Sequence, residues 1–125
     1  MPKANKHDIT EIVTGPGFEG RYAEVLDYTV GFESYSEESD LAPLFVGLPD
    51  DACQCPHFGY IIKGSVTFKT ATGEETFAAG DAYVMGAGHT PVLHPGTELV
   101  EFSPTDELNK SMVVVMKNME AMGQG

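Results

Sequence analysis

The sequence predicts an all-β domain, a sandwich or barrel of short strands, with one helix at its C-terminal end. Two observations carry that prediction. Runs rich in Val, Tyr, Phe and Ile recur between residues 9 and 103, broken by clusters of Gly, Pro, Ser and Asp. Such evenly spaced short strands are the mark of a sandwich or barrel. Beyond residue 103 the apolar spacing lengthens to three and four, the period of a helix. A chain of 125 residues with 42% apolar content makes one domain, with a core that needs no disulfide staples.

The elements follow in order. Residues 1–8 are polar and expected to be loose. GPGFEG (15–20) is expected as a turn, and RYAEVLDYTVGFESY (21–35) as a strand pair. The acidic SEESD (36–40) is expected as a loop. LAPLFVGLPDD (41–51) holds two prolines, which limit it to a short edge strand at most. Residues 53–63 and 65–70 read as two strands joined by a hairpin at Lys63-Gly64-Ser65. Ala71-Thr72-Gly73 is the next turn, and Gly80-Asp81 opens the strand AYVM. GAGHTPVLHPG (86–96) is a loop with strand character at its centre, and TELVEFS (97–103) alternates as a strand. Leu108, Met112, Val115, Met116, Met119 and Met122 form the apolar stripe of a helix. Ser103-Pro104-Thr105-Asp106 offers its cap, an early proline and an acidic first turn, and Lys117 suits its C-terminal dipole. Gly123-Gln124-Gly125 is expected to fray. The single domain covers residues 1–125, with a core at about 20–103 and the helix at about 104–121.

Charge excludes some partners. Seven basic against 19 acidic residues leave a net charge of −12. Such a surface repels nucleic-acid backbones and anionic membranes. MPKANKHDIT has no apolar stretch of the kind a secretory signal needs, so the expected compartment is a reducing cytoplasm.

The stretch CQCPHFGYIIKG (53–64) holds both cysteines and one of four histidines. A strand repeats every two residues, so Asp51, Cys53, Cys55 and His57 would share one face. Phe58, Tyr60 and Ile62 would share the other, as core between sheets or as a subunit contact. Thiolate and imidazole on one face are the donors of zinc or another borderline-soft ion. The candidate metal ligands are Cys53, Cys55, His57 and His89, the last from the 86–96 segment, where His94 is the other histidine that could complete the set. Zinc is the favoured divalent ion, and iron is the alternative. His94, ahead of the Pro95-Gly96 turn, reads as a solvent-exposed loop residue. Glu98 and Glu101 are oddly spaced, so only one of them faces inward.

The chain resembles the cupins, small jelly-roll barrels with metal ligands on two inward-facing strand segments. The resemblance covers roughly residues 40–102. The first cupin motif, G-x5-H-x-H-x3,4-E-x6-G, can close on Gly64. Asp51, Cys53 and His57 then stand at the two histidine positions and the glutamate position. Opening the motif on Gly47 instead puts Cys53 and Cys55 at the histidine positions. The second motif, G-x5-P-x-G-x2-H-x3-N, runs from Gly80 through Gly86 and Gly88, with Pro91 at the histidine position and His89 two residues earlier. The resemblance implies a double-stranded β-helix, a metal in the barrel and a homodimer.

Three functions are in view. A cupin that binds a metal and a small molecule is the first. The second is a metal-dependent isomerase, lyase or oxygenase, with His89 or Glu101 as general base. The third is a thiol role for the Cys53-x-Cys55 pair.

Overall fold

A computed structural model describes residues 2–123. The strands are β1 (Glu11–Gly15), β2 (Phe18–Val25), β3 (Tyr28–Tyr35), β4 (Ser39–Asp40), β5 (His57–Lys63), β6 (Ser65–Thr70), β7 (Gly73–Ala78), β8 (Ala82–Met85), β9 (Thr90–Leu93) and β10 (Thr97–Pro104). One helix, α1 (Thr105–Gly123), follows. The last two residues of the tail expected to fray lie outside the described residues.

Two antiparallel sheets face each other. One has six strands in the order β1-β2-β3-β10-β5-β8, the other four in the order β4-β9-β6-β7. Their inner faces enclose a core of Tyr35, Ile61, Val66, Phe68, Tyr83, Leu93 and Leu99. Fully burying a side chain of this kind stabilises the fold by about 1.5–3 kcal/mol. A second cluster of Phe45, Cys53, Cys55 and Val115 joins the barrel to α1.

Several sequence expectations change here. Gly64 does not close a hairpin. β5 pairs with β10 and β8, whereas β6 pairs with β7 and β9, so the chain leaves one sheet for the other at this glycine. Its φ is 76°, and a Cβ there would lie 2.7 Å from the Thr97 backbone, so the corner takes only glycine without strain. Residues 41–51 form no strand in the sheets. They make two 3-10 turns, Ala42–Phe45 and Pro49–Asp51, each with proline in its first two positions. The acidic loop contains the two-residue strand β4, paired with β9.

The helix begins one residue later than expected and runs to Gly123. Ser103 and Pro104 still belong to β10, so Ser103 is no cap. No basic residue stands in the last turn, which leaves Lys117 away from the helix end. Leu108, Met112 and Val115 pack inward with Phe45 and its neighbours. Met116, Met119 and Met122 are exposed, and buried Ser111 shares the inner face instead. The packed face is thus the 108–111–112–115 face, and Asn118 extends it by donating to the carbonyls of Leu44 and Val46.

Candidate functional site

The site is assembled by a backbone bridge and a strand start. The Cys53 N–H donates to the His89 carbonyl over 2.8 Å, and the Gly88 N–H donates to the Cys53 carbonyl over 2.8 Å. That single antiparallel bridge holds Cys53 beside His89. His57 is the first residue of β5, paired with Met85 on β8. Cys53 Sγ lies 3.6 Å from His57 Nε2. The His57 and His89 rings meet edge-on, 4.9 Å between centroids. One donor atom from each of Cys53, His57 and His89 falls within 4.8 Å of the others, and all three residues are buried.

Of the four residues expected as ligands, these three come together and Cys55 does not. The strand expected over 53–63 begins only at His57, and this separates the cysteines. Asp50 and Asp51 take left-handed backbone (φ 56° and 53°), and pairing on β5 starts only after Pro56. Cys55 turns its sulfur to the Pro56 carbonyl at 3.4 Å and packs with Phe45 and Val115. Asp51 is exposed, and its Oδ1 accepts from the Gly47 N–H. His94 is half-buried, between Glu38 (3.1 Å) and Thr67 (2.8 Å) on the second sheet, rather than free in solvent. Glu98 sits on the surface with Lys6 and Lys63.

The donor set suits a metal. Tetrahedral zinc, with Zn–S near about 2.3 Å and Zn–N near about 2.0 Å, needs ligand atoms roughly 3.3–3.6 Å apart. The Cys53–His57 separation already matches, and small side-chain rotations close the remainder. His89 Nδ1 lies 2.6 Å from the Gly86 carbonyl. A carbonyl only accepts, so Nδ1 carries the proton and Nε2 keeps its lone pair. Burial pushes both His57 and His89 down to about 4, so both rings are neutral at pH 7. Burial pushes the Cys53 thiol up to about 11, so an incoming ion has one proton to displace there.

No sequence-family profile matches the chain, and no curated protein matches it. Solved structures do match in shape. An RmlC-like cupin from Shewanella frigidimarina NCIMB 400 superposes with a TM-score of 0.57 at 16% identity, over 81% of this chain and 88% of that one. A protein of unknown function from Rhizobium leguminosarum bv. viciae 3841 gives 0.59 at 16% identity, over 82% and 94%. The polyketide cyclase RemF from Streptomyces resistomycificus gives 0.55 at 13% identity, over 84% and 80%. The chain has a cupin fold.

Inside the cupin barrel, acids and phenols surround the cluster. Leu99, Glu101 and Ser103 share the inward face of β10, as Glu33 and Tyr35 do on β3. The Tyr83 hydroxyl donates to Glu101 over 2.6 Å, and the Tyr22 hydroxyl donates to Glu33 over 2.6 Å. Gly59 makes room for the first pair: a Cβ there would overlap the Tyr83 ring. Burial, then Glu101, pushes Glu33 up to about 7, and burial pushes Glu101 to a similar value. Tyr22, Tyr35 and Tyr83 are driven well above the usual phenol range, chiefly by burial, so they remain donors. Sequence reasoning missed Glu33, Tyr22, Tyr83 and Ser103. The alternation of 97–103 does put Ser103 on the face of Glu101, but its place before the helix favoured a cap.

Two grooves open on the surface. One of about 390 Å³ is lined by Phe68, Phe77, Val84 and Met85, among others. Phe68 lies between this groove and His89, its ring edge-on to the imidazole at 5.8 Å. A larger groove of about 480 Å³, lined by Phe18, Tyr35 and Gly96 among others, includes none of the three donors.

Proposed function

We propose that this cupin binds one divalent metal ion through Cys53, His57 and His89, with zinc favoured over iron, and a small molecule beside it. The observation that carries the reading is the convergence of one sulfur and two imidazole donors, all buried, within 4.8 Å. A thiolate among the ligands favours zinc over the iron chemistry of two histidines and a carboxylate. Three protein ligands leave the fourth tetrahedral position for water or a ligand. Such an ion would supply Lewis-acid polarisation of whatever occupies that position. The groove beside Phe68 and Met85 is the entry we assign to the small molecule.

A metal-dependent isomerase, lyase or oxygenase is the second reading. It is favoured by Glu101, whose Oε1 lies 3.5 Å from His57 and whose carboxyl is held near neutral pH as an acid or base requires. One shape neighbour, RemF, is named as a cyclase. A thiol-redox role is disfavoured, because both thiols are buried and pushed up to about 11 and 12.

Metal content decides. Protein purified without a tag, reconstituted with zinc or iron under reducing conditions, is expected to hold one ion per chain by mass spectrometry. Cys53→Ser should lose it, and Cys55→Ser should retain it. An unsubstituted protein that takes up no ion under these conditions removes the basis of both readings.

A further inference from the structure

We infer that the groove between β7 and β8 takes an organic cation, an amine or ammonium with an apolar body, whose charge is met by Glu75. The inference rests on the assignment of this groove to the small molecule and names that molecule's class. It does not depend on the metal.

The groove exists because two sheet edges part. β7 is the last strand of the smaller sheet, and β8 is the last strand of the larger one. The space of about 390 Å³ between them is the size of a small-molecule site. Its apolar wall is built on rings. Phe68 lies 5.4 Å from Phe77 and 5.3 Å from Tyr83, and Phe77 stacks on Tyr83 at 5.5 Å. Phe68 and Phe77 line the groove, with Val84 and Met85 on the β8 side. An aromatic wall suits an apolar body, and the faces of its rings attract positive charge.

Strand register places the acid. Adjacent residues of a strand point to opposite faces. Glu74 stands across the ladder from Lys69, so it has a cation as its neighbour on the outer face. Glu75 stands across from Phe68, and Phe77, two residues on, stands across from Val66. Phe68 and Val66 are buried, so this is the inner face, and Glu75 occupies its open end beside the two rings. No cation of the chain meets Glu75 there. None of the ion pairs among the described residues includes it. No lysine, arginine or histidine lines the groove. A carboxylate across from a phenylalanine gains nothing from that neighbour, whereas a cation lying on the rings gives it a partner. A ligand carrying a carboxylate or phosphate meets the opposite situation. It would face Glu75 and Glu74 with no basic side chain to offset them, in a chain of net charge −12.

A ¹H–¹⁵N titration of the metal-free protein with three probes of similar shape tests the class. Benzylamine, protonated at pH 7, is expected to shift the amides of Phe68, Gly73, Phe77 and Met85 and to bind more tightly than benzyl alcohol. Benzoate is expected to bind least. Glu75→Gln should weaken benzylamine about two- to fivefold, the worth of an exposed ion pair, and leave benzyl alcohol unchanged. Glu24→Gln removes the same charge from β2, near the opposite edge of the larger sheet, and should leave all three affinities as they were. Benzoate that binds in the groove as tightly as benzylamine overturns the inference and leaves the groove as the ligand site. Equal losses in Glu75→Gln and Glu24→Gln overturn it too, by tracing the attraction to the field of the whole chain. If none of the three probes shifts the groove amides, the groove itself is withdrawn as the ligand site, and the inference falls with it.

Discussion

At Cys53 the first question is where its proton goes. With the thiol near 11 and both imidazoles near 4, each bound zinc displaces one proton between those limits. Log affinity is therefore expected to rise with a slope of about one per pH unit from pH 5 to 9, and to steepen below about pH 4 as the histidines protonate. A chelator competition series across pH measures that slope, and a flat profile would rule out a thiolate ligand. Glu33 carries a different signature. Its carboxyl is held up near 7 against an ordinary 4.5, so the folded chain binds a proton that the unfolded chain has released. The stability this contributes is full below about pH 4.5 and is lost as pH rises through about 7. Glu33→Gln should flatten that loss, read as urea midpoints at pH 5 and pH 8. Cys53, His57 and His89 were legible in the sequence as chemistry, because few side chains offer sulfur or imidazole. Glu33 and Ser103 were not, because a glutamate or serine gains meaning only from what lies across the barrel.

Among the elements, the strands were legible where alternation ran clearly, as in 21–35 and 97–103, whereas β7 and the start of β2 fell on segments read as turns. Three misreadings share a physical cause: local sequence names a break without naming its partner. A glycine at a hairpin and a glycine at a corner between sheets need the same positive φ, so Gly64 looked the same either way. Prolines at 43 and 49 forbade a ladder without announcing 3-10 turns. The helix stripe was placed with the right period, but the sequence did not say that the barrel ends beneath Val115 and leaves Met116, Met119 and Met122 uncovered. Two substitutions test the elements themselves. Leu26, in the two-residue turn between β2 and β3, is 78% exposed with φ 55°. A branched side chain in left-handed backbone costs about 1–2 kcal/mol, and asparagine tolerates it, so Leu26→Asn should raise the thermal midpoint. Gly59→Ala would drive a methyl into the buried Tyr83 ring and should cost about 1–3 kcal/mol by urea unfolding.

On the scale of the molecule, charge and apolar surface pull in opposite directions. A net charge of −12 keeps copies apart. Yet Phe58, Tyr60, Ile62 and Phe102 stand 42–45% exposed on the outer face of the larger sheet, with Phe58 paired across to Phe102. These side chains are not core between sheets, the first of the two roles expected of this face. A homodimer through this face is the assembly we propose, and higher salt should favour it by screening the acids. Phe58→Glu with Tyr60→Glu should give a monomer by sedimentation at concentrations where the unsubstituted protein is dimeric. Equal masses for the two would reject the face. No helix among the described residues is long and apolar enough to cross a membrane.

The bridge between Cys53 and His89 has a further consequence. It is made by main-chain groups, which every residue except proline possesses. The backbone position at 53 is therefore held by groups that do not depend on the side chain it carries. A scaffold of that kind separates inheritance of shape from inheritance of chemistry. A cysteine can come to stand where a cupin motif has a histidine, and the ion preference can change within a single substitution while the fold remains as it was.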